Sequence, residues 1–581
     1  MTPPNVPHTI NNIDRVQDQP RNQEPDNILT LLEQVAKHNP YFPLYTFLDR
    51  RLRPTRVISC QELLTESTRL AGALQTRYAK GEPLILFFQH GPAFVFAYFA
   101  CLMAGCVAVP LAYKKRRDFE KLNLLMQASG TNAVVSTSGI MSNMPTQQLD
   151  LEPGGTGRTL HLMVTDKIGF AAHWHRPQID TWDMACIQVS SGSSGMAKGA
   201  AFSHLGVLLN LEKIKQAMRL TTEDRMLSVT SCQEGHGLIL HVLLPLYTRV
   251  PSYFLDADSL VSRPLIWLEA ISKHRCTVSG ALGVAYASIG GEQPQLNSHR
   301  LDFSAWRVAY IGPDVADARA LQRFAKRYRA NKFSSRNYFH FYGLAEAGYF
   351  VCGRFGIQPE LINAVPHISV GKLPASDQWD MVPEQDGGFI DGEGMLRLMS
   401  SAAGVLCIPV HKHVSRPLAE QLDALAAAGK AGIRRTVLTD DVVAVKNGEL
   451  YIRGQRLNSI KIDGKQFRLE DIESLVISSF GCRGVTRCVA AYMEDRKEII
   501  LAVECGQREM AERWRGVVSR MKEIVRSSIG IEPDRILLLR TNSLPVSSGG
   551  KILRAECKRL FRSGSLMTRL LPVRGRGFSS D

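Results

Sequence analysis

From Ile28 to about position 180 the spacing of apolar residues changes again and again. Cys60 to Arg77 repeats its apolar positions with helical period, and Pro83-Leu-Ile-Leu-Phe-Phe88 follows as an unbroken apolar run of strand length. Alternation of this kind predicts sheets covered by helices, an α/β fold. The same texture continues to about position 454. Residues 459–581 read differently, as a compact α+β tail with a basic end. Its elements are a strand at Ile460-Lys-Ile462, a helix from Leu469, strands at 489–492 and 499–503, a helix near 510–528, and a strand at Arg535-Ile-Leu-Leu-Leu-Arg540. Residues 1–27 are rich in Pro, Asn, Asp and Gln, the composition of a loose arm.

One stretch imitates a membrane span. Pro92 to Tyr113 carries no charge and is followed by Lys114-Lys-Arg-Arg117. Gly105 and Pro110 divide it, however, into a helix at about 92–104 and a strand over Val107-Ala-Val-Pro-Leu111. Each piece is too short to cross a bilayer, and buried α/β cores produce such runs. No membrane span is expected.

A chain of 581 residues exceeds what one hydrophobic core serves, so two or more domains are expected. With 45% hydrophobic and 22% charged residues it has ordinary globular composition. The 12 cysteines contain no Cys-x-x-Cys pair, which argues against a structural zinc site. No secretory signal stands at the polar N-terminus, so reduced thiols in a cytoplasmic protein are expected. The net charge of +15 favours something acidic as a partner. The basic residues are dispersed and no nucleic-acid-reading motif occurs, so nucleic acid is not the expected partner.

The strongest candidate for chemistry is Val189-Ser-Ser-Gly-Ser-Ser-Gly-Met-Ala-Lys-Gly199. Serines and glycines let a backbone approach a ligand closely and offer N–H groups and hydroxyls to phosphate oxygens. Lys198 adds one positive charge. The spacing is not that of the common P-loop, and alone the run reads equally as a flexible loop. Three later segments add weight. They are Phe341-Tyr-Gly-Leu-Ala-Glu-Ala347, Thr439-Asp-Asp441 ahead of Gly448-Glu-Leu-Tyr-Ile-Arg-Gly454, and Leu544-Pro-Val-Ser-Ser-Gly-Gly-Lys-Ile-Leu-Arg554.

In this order the four segments resemble the adenylate-forming superfamily: acyl-CoA synthetases, amino-acid adenylation domains, luciferases and fatty acyl-AMP ligases. The resemblance covers about 28–560. It is most similar to the fatty acyl-AMP ligase branch over Phe94 to Leu111, over Ser262 to Gly280, and in the wording Leu344-Ala-Glu-Ala347. It implies a large N-terminal domain over 28–454, a hinge at 455–458 with Asn458 at the pivot, and a small mobile C-terminal domain over 459–581.

The resemblance also implies roles. Ser190, Ser191, Gly192, Ser193, Ser194, Gly195 and Lys198 would hold the ATP phosphates. Glu346 would coordinate Mg²⁺, for which a carboxylate is a suitable hard ligand. Tyr342 would stack on adenine, with Gly312 and Gly343 leaving room for the base. Asp441 would accept hydrogen bonds from the ribose hydroxyls. Lys551 would neutralise charge at the reacting phosphate, often the largest catalytic contribution.

Several positions depart from the family pattern. Its Thr-Gly-Asp is here Thr-Asp-Asp. Its ribose-side arginine is replaced by Gln455, with Arg456 next as the candidate substitute. In the expected acyl pocket, Glu234 stands where the branch has histidine, with His236 and Gly237 following. Leu282 and Gly283 replace a Pro-Asn pair. A carboxylate and an imidazole make this wall more polar than a fatty tunnel needs, so a short, polar or amino-bearing acid is expected. Residues 392–435 depart as well, without a physical account.

The expected activity is therefore ATP- and Mg²⁺-dependent formation of an acyl-AMP with release of pyrophosphate. Transfer to the phosphopantetheine thiol of an acyl carrier protein would follow. Coenzyme A, an amine or a hydroxyl remain alternative acceptors. A degenerate scaffold is disfavoured, because Lys198, Glu346 and Lys551 are all present.

Overall fold

The computed structural model describes residues 25–144, 160–169, 173–191, 197–255, 259, 263, 265–290, 300–312, 317–357, 359–362, 365–373, 378–382, 393–400, 408–409, 418–431, 435–462, 465–480, 485–505, 514–546, 552–566 and 570. Among these residues the strands form two large mixed sheets, a four-stranded sheet, and smaller sheets that include a three-stranded one near the C-terminus.

The larger sheet runs, edge to edge, through Cys352–Phe355, Tyr338–Tyr342, Val308–Ile311, Val278–Ala281, Met226–Ser228, Ser252–Phe254, Pro43–Leu48 and Pro54–Ser59. Its six inner strands are parallel, and antiparallel strands close both edges. The second large sheet is built on Pro83–Phe88, which pairs in parallel with Val107–Ala112 and Ala133–Ser136. Every side chain of Pro83–Phe88 is buried, as a central strand covered on both faces requires.

Helices begin where capping residues permit. Asn27 Oδ1 accepts from Thr30 N at 2.9 Å to start Ile28–His38, and Ser59 Oγ accepts from Glu62 N at 3.2 Å to start Cys60–Gln75. Pro92 opens the helix Pro92–Met103, where its missing N–H is no loss. That helix and the strand Val107–Ala112 divide the apolar stretch as expected. Among the described residues, no helix is long and apolar enough to cross a membrane. The described cysteines are buried thiols with no disulfide among them.

The C-terminal part carries its own core. Leu469, Ile472 and Val476 of the helix Leu469–Phe480 pack with Val503, Met521 and Val525 over the sheet of Val485–Met493, Glu498–Cys505 and Arg535–Arg540. Between this core and the preceding four-stranded sheet lies a turn of 3₁₀ helix, Arg456–Asn458. Arg453, 1% exposed, donates from both terminal nitrogens to Asp471, at 3.3 and 3.0 Å. Asn458 Nδ2 and the backbone N–H of Gln455 both reach Glu470 Oε1. The expected hinge is thus held by the first turn of the helix that follows it.

Candidate active site

In open α/β sheets, ligands gather beyond the carboxyl ends of parallel strands. Four adjacent parallel strands of the larger sheet end at segments singled out by the sequence. Met226–Ser228 leads to the loop containing Glu234. Val278–Ala281 leads to Leu282 and Gly283, Val308–Ile311 to Gly312, and Tyr338–Tyr342 to Gly343. Register places these ends side by side: Ala281 opposes Ile311, and Ile311 opposes His340.

Gly312 has φ +141, a region that glycine alone enters freely, and a Cβ there would stand 2.4 Å from the Phe341 carbonyl oxygen. His236 Nε2 lies 2.6 Å from the Gly312 carbonyl oxygen. A carbonyl only accepts, so Nε2 carries the proton. Burial pushes His236 down to about 4, although the bond to Gly312 opposes that shift. The imidazole is therefore neutral at physiological pH. Its ring meets Tyr349 edge-on at 5.5 Å and lies 5.9 Å from Phe341.

The loop before His236 is fixed by the second sheet. Gln233 Nε2 donates to the carbonyls of Phe88 and Gln89 at 3.0 and 2.8 Å, and Cys232 N donates to His90 Nδ1 at 3.2 Å. Residues 231–236 thus bridge the carboxyl ends of both large sheets. Gly237 packs so closely on Ser231 that a Cβ would stand 1.9 Å from its carbonyl oxygen. From His236 to Leu243 the chain forms a π-helix, a rare form often found at functional sites. Pro245 has no N–H to serve the His241 carbonyl in α register, which favours the wider turn.

A second group lies at the end of Tyr338–Tyr342. The Tyr342 hydroxyl donates to Asp441 Oδ2 at 2.6 Å, and Gln455 Nε2 donates to Asp441 Oδ1 at 3.3 Å. Burial, then the neighbouring Asp441 carboxylate, raises the Tyr342 phenol well above its ordinary value, so it stays a donor. Asp441 and Gln455 are opposed on antiparallel strands, which sets the contact. The side chain that reaches Asp441 from this strand is therefore Gln455, whereas Arg456, the expected substitute, is exposed. Gly343 packs under Tyr349, where a Cβ would stand 1.8 Å from its carbonyl oxygen.

The two ends of the Gly/Ser run lie on paired strands. Met184–Ser191 pairs antiparallel with Ala197–Ser203, bringing Ser190 opposite Lys198 and Ser191 opposite Ala197. A return strand stands where the sequence reads only as loop. Gly192, Ser193, Ser194 and Gly195 lie outside the described residues, as do Lys551 and the side chain of Glu346. Sequence reasoning missed Gln233, His90 and Tyr349, and gave the ribose-side role to Arg456 rather than to Gln455. Their roles come from contacts across 14 to 145 residues, which no local pattern carries.

Residues 32–396 match the AMP-binding enzyme family. The chain is 23% identical over 568 residues to the medium-chain-fatty-acid–acyl-carrier-protein ligase JamA of Moorena producens, covering 93% of this chain and 95% of that protein. It is 22% identical to the 4-hydroxyphenylalkanoate adenylyltransferase of Mycobacterium marinum, covering 92% and 91%. A solved structure from work on fatty acyl-adenylate ligases of E. coli and L. pneumophila superposes with a TM-score of 0.76, at 23% identity, covering 93% of this chain and 98% of that one. The L. pneumophila ligase in complex with acyl adenylate and pyrophosphate superposes at 0.66, with 21% identity and coverage of 94% and 97%. The family match spans well over half the chain and takes in the strand ends that carry Glu234, Gly312 and Tyr342, so the chain belongs to the AMP-binding enzyme family.

Proposed function

We propose that this protein activates a carboxylic acid with ATP, forming an acyl-adenylate and pyrophosphate, and passes the acyl group to the phosphopantetheine thiol of a carrier protein. One observation carries the reading. The Tyr342–Asp441 pair, Gly312 and the loop 231–236 converge at neighbouring strand ends in a chain of the AMP-binding enzyme family.

The chemistry explains why such residues are needed. A carboxylate is a poor electrophile. When its oxygen attacks the α-phosphorus, the bond to the β-phosphate breaks and pyrophosphate leaves. The thiol sulfur then attacks the acyl carbon, and AMP leaves with the bonding electrons. Both steps depend on positioning and charge neutralisation.

Asp441 suits a ribose. Each of its oxygens takes one protein donor and keeps a lone-pair site for a ribose hydroxyl. The tyrosine and the glutamine hold the carboxylate still. In this reading the run from Ser190 to Lys198 would bind the outer phosphates, Glu346 would hold Mg²⁺, and Lys551 would reach the α-phosphate. Asn458 lies at the pivot on which the small domain turns between the two steps. A carrier protein is favoured because JamA is named as a carrier-protein ligase and a charge of +15 suits an acidic partner.

The test is acid-dependent pyrophosphate release from ATP and Mg²⁺, followed by acyl transfer to a phosphopantetheinylated carrier or to coenzyme A. Release that is lost in Lys551→Ala supports adenylation. Faster transfer to coenzyme A than to any carrier would overturn the choice of acceptor, and release with no acid would overturn the whole reading.

A further inference from the structure

Tyr349 is unusual in three respects. It has φ +88, in the left-handed region that residues with a Cβ avoid. Its side chain is buried, with the residue only 7% exposed. Its hydroxyl is buried and has no hydrogen-bond partner among the described residues. A native fold rarely leaves such a group unsatisfied without a reason. A strained backbone that holds a buried, unused donor is the pattern of a residue kept for a ligand.

Its position says which ligand. The Tyr349 ring lies against Gly235, where a Cβ would stand 3.1 Å from ring atom Cε2. A larger residue at 235 would push the ring away. The ring meets His236 edge-on at 5.5 Å and lies 6.2 Å from Phe341, which is itself 5.9 Å from His236. His236 in turn is bonded to the Gly312 carbonyl oxygen. Burial, then Tyr310, then the Glu234 carboxylate raise the Tyr349 phenol well above its ordinary value, so it stays a donor. Tyr349 therefore belongs to the same wall as Glu234 and His236, close to the strand ends where the acid and nucleotide would meet.

We infer that Tyr349 is a specificity residue whose hydroxyl donates to an oxygen substituent of the acid, and that the preferred substrate is a hydroxy acid rather than an unsubstituted fatty acid. This rests on the acyl-adenylating reading above and names its substrate class. The chemistry of the wall selects the substituent. The phenol requires an acceptor, and the neighbouring carboxylate accepts further donors. A hydroxyl group serves both at once. A ketone only accepts, an ammonium only donates, and a hydrocarbon chain leaves the Tyr349 hydroxyl unpaired in a dry site. Sites built to bond a substrate hydroxyl reject the analogue lacking it far more strongly than apolar pockets reject a methylene.

The experiment compares acids of equal length with and without a 2- or 3-hydroxyl, together with 2-amino acids, by pyrophosphate release. It is run on the wild-type chain and on Tyr349→Phe. The wild type is expected to favour a hydroxy acid by about tenfold or more in kcat/KM. In Tyr349→Phe that ratio falls close to one, because kcat/KM for the hydroxy acid drops about tenfold or more. The variant's melting temperature should not fall, because the hydroxyl it loses has no partner among the described residues. A merely structural role would move the melting temperature and both acids together. Glu234→Gln supplies a second reading of the same ratio and is expected to lower it. A wild type that prefers the unsubstituted or the amino acid overturns the inference, as does an unchanged ratio in Tyr349→Phe. Release with unsubstituted acids alone would sink this inference and leave adenylation standing. Release with no acid at all would sink both.

Discussion

Tyr342 and Asp441, 99 residues apart, are joined by a 2.6 Å hydrogen bond from the phenol to the carboxylate. The bond ties the end of a parallel strand to the four-stranded sheet that precedes the small domain. It also uses one lone-pair site of a carboxylate proposed to grip a ribose. Removing the carboxylate should weaken ATP binding more than removing the phenol. We expect Asp441→Ala to lower ATP affinity by about 10- to 100-fold, the range for losing hydrogen bonds to a charged group, and Tyr342→Phe by a few-fold. Calorimetric titration with ATP in the absence of acid checks both. Equal losses in the two variants would show that the tyrosine acts on the nucleotide directly.

Gln455 and Arg456 make a paired test. Gln455 donates to Asp441 at 3.3 Å, while Arg456 is exposed. Gln455→Ala should weaken ATP binding by about threefold to tenfold, less than loss of the carboxylate itself, because the amide holds Asp441 in place rather than touching the nucleotide. Arg456→Ala should change it by less than about twofold, as surface substitutions usually do. The reverse order, measured by the same titration, would return the ribose-side role to Arg456.

The contrast between these two residues shows what the sequence carries and what it does not. Strands at 83–88 and 535–540 lie where the apolar runs place them, because a buried strand writes its own local signature. Of the motif segments, Phe341-Tyr342 closes a parallel strand, and Ser190 and Lys198 face each other on antiparallel strands. Which of Gln455 and Arg456 faces Asp441 depends instead on antiparallel register, since a shift of one residue turns each side chain to the other face. The π-helix at 236–243 and the strained Tyr349 were equally hidden. Neither alters the local period of apolar residues.

Arg453 and Asp471 predict a separate kind of failure. The pair is buried, with side chains 1% and 8% exposed, and His367 Nε2 lies 3.6 Å from the same carboxylate. Removing one member leaves a charge buried without its partner, which costs about 3–5 kcal/mol. Asp471→Ala should therefore destabilise the junction between the four-stranded sheet and the small domain. The expected outcome is a lower urea midpoint and faster proteolytic cleavage within 455–465, with the products identified by mass. An unchanged midpoint and cleavage pattern would show that the pair does not hold the junction. Replacing both residues with apolar ones, Arg453→Met with Asp471→Leu, should recover much of the loss.

The buried histidines give the chain a defined response to acid. His241 is fully buried, with Nε2 at 2.8 Å from the Tyr310 hydroxyl, and burial pushes it down to about 3. His204, also buried, and His236 are pushed down to about 4. An unfolded histidine titrates near 6.5. Between these values the unfolded chain binds protons that the folded chain refuses, so stability rises with pH across that interval. The contribution is complete above about 6.5 and is lost as pH falls through that value towards the folded pKa. For His241 alone the loss between pH 7 and pH 5 is about 2 kcal/mol, from 1.36 kcal/mol per unit over the 1.5 units below 6.5. Urea unfolding at pH 7, 6 and 5 should therefore show a falling midpoint. In His241→Gln the fall should be shallower by that amount, whatever the variant's stability at pH 7. Parallel curves for the variant and the wild type would show that His241 takes up its proton in the folded state as easily as in the unfolded one.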